Sequence, residues 1–310
     1  MPVVEVEPVR AEAPIPAEAP ILAETPILAL EGVTKVYGRP GPLARMLPGA
    51  GEGFRALDAV SLAVAPGTVL GIVGESGSGK STLAHVAVGL TRPSAGTVRL
   101  GGHDRAGLSR AQARVWRRAV QIVFQDPNGA LNPRKTVRRC LAETLVLADL
   151  PRERHEARSV ELLGMVGLGA ETLGRLPHQL SGGQRQRIGL ARALAMDPRL
   201  LIADEPVASL DVSLQAQVVN LLMRLTRELG LTLIFISHDL ALVRRIATRV
   251  VVMQGGRIVE DAPATDLFAA PGHPYTRTLL AAVPRGLAGR RESARHGRQP
   301  ASISAGNREA

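Results

Sequence analysis

The chain has 310 residues, 45% of them hydrophobic, and a net charge of +10 at pH 7. That content supports a full core and excludes a wholly disordered chain. A single cysteine, Cys140, excludes disulfides within the chain and any cysteine-based metal cluster confined to it, and suits a reducing compartment. No run approaches the ~18 apolar residues that span a bilayer, and the acidic start MPVVEVEP lacks the basic region of a signal peptide, so work at a membrane needs spans from other chains. The positive charge is almost all arginine, since Lys35, Lys80 and Lys135 are the only lysines. The arginines are scattered rather than gathered in one tract, which reads as a solvated basic surface in preference to a nucleic-acid face.

In chain order, AEAPIP from Ala11, AEAPIL from Ala17 and AETPIL from Ala23 repeat one unit with proline in every copy. Proline opposes both helix and sheet, so residues 1 to 28 are expected to form a disordered Ala/Pro/Glu tail. GRPGPLARMLPGAGEG from Gly38 is expected to be a surface loop. The apolar runs Val69 to Val73, Val120 to Phe124, Leu200 to Ala203, Leu231 to Ile236 and Val250 to Met253 predict buried strands. Helical patterns cover Lys80 to Leu90, Val137 to Leu150, Arg152 to Val166, Gly182 to Ala195, Ser213 to Leu229 and Leu240 to Ala247. Strands alternating with helices predict a mainly parallel sheet covered on both faces. The helices from Val137 to Ala195, with no strand among them, predict an inserted helical subdomain.

After the first buried strand comes GESGSGKS, matching G-x-x-x-x-G-K-[ST]. Gly74, Glu75, Ser76, Gly77, Ser78 and Gly79 would curl backbone N–H groups around a phosphate, with the positive end of the following helix, which carries Thr82, aimed at the same place. Lys80 would neutralise the β- and γ-phosphates, and the Ser81 hydroxyl would ligate Mg²⁺. LLIADEP sets Asp204 and Glu205 at the C-terminal end of a buried strand, the ligand edge of a doubly wound sheet. There Asp204 can reach the Mg²⁺ through water, and Glu205 can polarise an attacking water. Gln125 and His238 end strands at the same edge, within range of a γ-phosphate and its water, and Gln125 joins Ser81 and Asp204 in the expected metal site.

LSGGQRQR raises a different question. Ser181 with Gln184 has the form of a capping box, but a helix start gains nothing from Gly182 and Gly183. A helix N-terminus free of side chains is suited to gripping an anion, and the phosphate loop already encloses one side of this chain's own nucleotide.

GESGSGKST, the glutamine after VQIVF, LSGGQRQR, LLIADEP, SLD at Ser209 to Asp211 and SHD at Ser237 to Asp239 follow one another in the order seen in ATP-binding cassette (ABC) ATPases, which the chain resembles over roughly residues 29 to 282. The resemblance implies an α/β P-loop NTPase fold of the ABC type, with a mainly parallel sheet core, an antiparallel β portion and a helical subdomain at about 126–195. It implies a cassette over 29–256 and a C-terminal extension with an arginine-rich tail over 257–310. Cassettes of this family pair head to tail, so Ser181 and Gly183 would hold the γ-phosphate of ATP on a partner's loop. Tyr37 would stack on adenine, Glu205 would be the general base, His238 the switch histidine, and Asp211 part of the dimer contact. VASLD stands where many relatives have VSALD; Asp211 is kept.

DPNGALNPRKTV from Asp126, VASLDVSLQAQVVNLL from Val207 and GHPYTRTLLAAVP from Gly272 look like the ATPase subunits of dipeptide and oligopeptide importers, in particular the F-type subunit. Some relatives hold an iron–sulfur cluster in the extension; with no cysteine after Cys140, that cofactor is not expected here. The resemblance implies ATP and Mg²⁺ as cofactors and a place at the cytoplasmic face of the cell membrane. It implies a second ATPase, identical or distinct, two permeases, and an extracytoplasmic binding protein that selects peptide. Nickel or another small solute stays open as cargo. A non-transport cassette acting on nucleic acid is the rival, disfavoured by a single phosphate loop without coiled-coil or zinc insertions. A degenerate structural partner is disfavoured because Lys80, Asp204, Glu205 and His238 are all present.

Overall fold

The computed structural model describes residues 25–38, 53–125, 131–208 and 210–282. Residues 1–24 with the first two AEAPIP repeats, most of the Gly/Pro-rich loop, the DPNGA segment after Gln125, Ser209 and the arginine-rich tail lie outside the described residues. The end of the third repeat is described and does not belong to a disordered tail, because Ile27 is buried and donates its N–H to the Val64 carbonyl, and Leu28 opens a strand.

Two sheets form the frame. The larger has the order β10-β9-β3-β8-β7-β6, built from β3 (Val69–Val73), β6 (Val120–Val123), β7 (Leu200–Asp204), β8 (Thr232–Ile236), β9 (Arg249–Gln254) and β10 (Arg257–Pro263). All neighbours are parallel except β10, which pairs antiparallel with β9. Its strands read as continuous apolar runs because both faces are covered. Alternate side chains divide between two cores. Leu70, Ile72, Leu200, Ile202, Ile234 and Ile236 face one, shared with Leu83 and Leu28, while Val69, Val73, Leu201, Ala203, Leu233 and Phe235 face the other, shared with Leu141, Leu162 and Ile188.

The smaller sheet is antiparallel, order β2-β1-β4-β5, from β1 (Leu28–Tyr37), β2 (Phe54–Val64), β4 (Ala95–Leu100) and β5 (His103–Asp104). The helices are α1 (Lys80–Val88), α2 (Arg110–Ala119), α3 (Val137–Leu147), α4 (His155–Met165), α5 (Gly182–Leu194), α6 (Val212–Glu228), α7 (Leu240–Ile246), α8 (Ala264–Ala269) and α9 (Pro274–Ala281). Among the described residues, the elements between β6 and β7 are α3, α4, α5 and 3-10 turns, with no strand among them.

Three expected helices differ in extent. The first stops at Val88 instead of Leu90, because Gly89 turns left-handed (φ 89°) and returns its N–H to the Val86 carbonyl. That from Val137 ends at Leu147 instead of Leu150, where Asp149 turns left-handed (φ 61°) and returns its N–H to the Val146 carbonyl. The pattern from Arg152 opens as a 3-10 turn, Arg152–Arg154, before α4 begins at His155. No helix among the described residues is long and apolar enough to cross a membrane.

Candidate nucleotide site

The phosphate loop joins β3 to α1 at the C-terminal edge of the parallel sheet. Gly74 (φ 151°) lies against β9, where an added Cβ would collide with the Met253 carbonyl oxygen. Gly79 (φ 105°) lies against β2, 2.6 Å from where its Cβ would meet the Ala56 oxygen. Both positions demand glycine. Gly79 caps α1 with no side-chain hydrogen bond, and the first N–H groups of a helix have no partner within it, which suits them to an anion.

Lys80 is 5% exposed, and its Nζ donates to the carbonyls of Gly74 (2.8 Å) and Glu75 (2.7 Å) and to Ser78 Oγ (3.3 Å). Burial lowers its pKa from the usual lysine range, and the charges of Glu205, Asp204 and Glu75 work against that shift. The Ser81 hydroxyl donates to Asp204 Oδ1 at 3.2 Å. Asp204, last residue of β7, is 6% exposed, and burial raises its carboxyl above the usual aspartate range, with the bond from Ser81 opposing.

Glu205 is held in left-handed backbone (φ 46°), unusual for a side-chain-bearing residue, while its N–H donates to the Ile236 carbonyl at 3.0 Å. Its Oε2 meets both partners expected from the other strand ends: Gln125 Nε2 at 3.2 Å and His238 Nδ1 at 3.3 Å. The structure thus brings Lys80, Ser81, Gln125, Asp204, Glu205 and His238 to one edge. The cluster offers cationic and backbone donors for phosphate, hard oxygen donors for a small divalent cation, and a carboxylate in reach of a water.

Outside the phosphate loop, the expected residues Tyr37, Ser181 to Gln184 and Asp211 form no hydrogen bond with this cluster among the described residues. Ser181 accepts from the Gln184 N–H (3.2 Å), and Gln184 Oε1 accepts from the Ser181 N–H (3.0 Å), a complete capping box on α5. Asp211 caps α6 by accepting from the Leu214 N–H at 2.9 Å. These two starts adjoin, since a Cβ on Gly182 would meet Leu210 and one on Gly183 would meet Leu214. Tyr37 ends β1, 41% exposed, with Lys35 Nζ 4.9 Å from its ring centre. Opposite it on β2 stands Phe54, 66% exposed, an aromatic that no sequence signal singled out.

A second unforeseen contact reaches the loop itself. Tyr275, from the GHPYTR stretch, accepts the Glu75 N–H at 3.1 Å.

A parallel sheet whose strand ends carry a glycine-lined phosphate loop, a buried lysine and an Asp-Glu pair defines a P-loop nucleotide hydrolase. Residues 57–208 match the family model of the ABC transporter, and residues 259–308 match that of the oligopeptide/dipeptide transporter C-terminal region. A Brucella abortus protein named for peptide import ATP binding is 50% identical over 255 residues, 81% of this chain and 76% of that one. A Sinorhizobium fredii protein named for ATP binding in a peptide ABC transporter is 52% identical over 231 residues, 74% of this chain and 65% of that one. Among solved structures, a dimeric ATP-binding cassette in a post-hydrolysis state with ADP and Pi aligns at TM-score 0.66 and 30% identity, over 76% of this chain and 98% of that one. The chain belongs to the ABC transporter family of ATP-binding cassettes, and it is an ATPase that binds ATP.

Proposed function

We propose that this chain is the ATP-hydrolysing subunit of an importer of dipeptides and oligopeptides, seated at the cytoplasmic face of the membrane beneath two permease subunits. The observation that carries this reading is the pairing of the two matches, a cassette followed by a C-terminal region of the oligopeptide/dipeptide transporter type. The names of the relatives agree with it. A second ATPase, identical or distinct, completes the pair, and an extracytoplasmic binding protein selects the peptide. The reading includes no nucleic acid.

In this reading the N–H groups of the loop and of the start of α1, including that of Thr82, bind the phosphates, and Lys80 Nζ turns from the loop carbonyls to the β- and γ-phosphate oxygens. Ser81, Asp204 and Gln125 would hold Mg²⁺; the hydroxyl beside a carboxylate fits that ion, which when bound neutralises phosphate charge. Glu205 Oε2 takes a proton from the attacking water as its oxygen bonds the γ-phosphorus and the bond to ADP breaks. Gln125 and His238, both on that carboxylate, fix its direction. Adenine stacks on the face of Tyr37 opposite Lys35, and Ser181 to Gln184 address the nucleotide of the partner ATPase.

A groove of about 920 Å³ beside Gln125 suits a permease segment. Its lining includes the apolar Val88, Val123, Phe124, Leu147 and Met196 and the basic Arg110, Arg114, Arg117 and Arg118, of which Arg114 and Arg118 pair with Asp149. The net positive charge that remains favours a helix bearing carboxylates. The test is capture of the tagged chain from gently solubilised membranes, with mass spectrometry and ATPase assays on wild type and Glu205→Gln. Two permeases should co-purify, with turnover lowered by about 10²- to 10⁴-fold in the variant. Ribosomes or nucleic acid without permeases would refute the importer.

A further inference from the structure

The GHPYTR stretch has no role in the chemistry above, yet it reaches the phosphate loop across 200 positions of sequence. We propose that α9 is a built-in brace of that loop and that Tyr275 is a positioning residue for nucleotide binding; this rests on the loop's assignment as the ATP site. The hydroxyl accepts the Glu75 N–H, which belongs to the same peptide group as the Gly74 carbonyl gripped by Lys80 Nζ at 2.8 Å. One peptide plane therefore stands between the phenol and the lysine, and fixing one end orients the other, since hydrogen bonds in a chain polarise one another. A peptide fixed there also sets the course of the loop at Ser76 to Gly79, where the Ser78 N–H donates to the Glu75 carbonyl at 3.2 Å and the neighbouring N–H groups are left to hold phosphate.

The brace is itself firmly seated. Glu260, on β10, accepts the N–H groups of Gly272 (2.7 Å) and His273 (3.0 Å) just ahead of α9. His273 is the N-cap, accepting the Tyr275 N–H on Nδ1 (3.2 Å), and Pro274 fills the first helical position. Arg277 Nη1 donates to the carbonyls of Pro271 (3.2 Å) and Gly272 (3.1 Å). Tyr275, Leu279 and Leu280 pack on the core shared with α3 to α7, and Thr276 is fully buried. Each letter of G-H-P-Y thus has a mechanical part, ending in the Tyr275 side chain that reaches the loop.

Because coupling is reciprocal, a helix that orders the loop for ATP is itself ordered by ATP. The experiment uses the full chain as wild type, Tyr275→Phe and Lys80→Ala. It measures ATP affinity by calorimetry, melting temperature, and hydrogen exchange of residues 274–281 with and without ATP. Tyr275→Phe keeps the packing and removes only the acceptor. It is expected to weaken ATP binding about three- to tenfold, to shift melting little, and to lose the slowing of α9 exchange that ATP gives the wild type. Unchanged affinity, or α9 exchange indifferent to ATP in the wild type, overturns the brace. Unchanged affinity in Lys80→Ala would overturn the loop's assignment and the brace with it, which separates the two failures.

Discussion

The phosphate loop and the SGGQ helix start are both rich in glycine, and they need it for different reasons. At Gly74 and Gly79 the chain itself leaves no room: a Cβ would run into the backbone of Met253 or Ala56. At Gly182 and Gly183 it would meet only the ends of Leu210 and Leu214, at 3.3 and 3.4 Å. The first pair is dictated by the fold of this molecule. The second pair is not, and in the proposed head-to-tail pairing its requirement would come from a body that approaches from outside.

The contrast can be broken at either end. Gly74→Ala should have the largest effect, costing about 3 kcal/mol or more of stability by steric conflict with backbone, with ATP binding lost alongside; calorimetry and nucleotide titration measure both. Gly183→Ala should stay within about 1 kcal/mol of wild type, because alanine suits a helix, while ATPase of the captured complex falls about tenfold. Equal destabilisation by the two substitutions would erase the distinction.

A smaller effect separates the brace from the loop it holds. Burial raises the Glu260 pKa, but the Thr276 hydroxyl, which lies near the carboxylate outside hydrogen-bond geometry, and the N–H groups of Gly272 and His273, which are bonded to it, outweigh that and hold the carboxyl below the ordinary value of 4.5. A depressed folded pKa contributes stability that is present above that ordinary value and is lost as pH falls through the folded one. Glu260→Gln should therefore lower the melting temperature by about 2–4 °C at pH 7, and the difference from wild type should shrink as pH drops below 4.5. A difference independent of pH would show that charge has no part in seating α9.

The parallel sheet was readable because VLGIV, LLIA and LTLIFI are apolar on both faces, a pattern that buried central strands require. The strands of the smaller sheet were not located individually: β1 buries Leu28, Leu30 and Val33 but breaks register between Leu30 and Val33, so no clean alternation survives. Helix α2 was missed because RAQARVWRRA buries Trp116 alone. At the site, residue types and strand ends located Lys80, Ser81, Gln125, Asp204, Glu205 and His238. The left-handed backbone at Glu205 and the reach of Tyr275 to Glu75 leave no local trace, since both depend on what distant segments place nearby.

The most direct test of the contrast is Ser181→Asp. Aspartate caps a helix as well as serine does and suits its positive end, so a mere helix start should tolerate it fully. A phosphate should not, because the new carboxylate sits where a second anion has to approach. In complexes captured from membranes, ATPase is expected to fall at least about fivefold, with the melting temperature and the isolated chain's own ATP affinity unchanged. Unchanged turnover would contradict the account and leave SGGQ as nothing more than a capped helix.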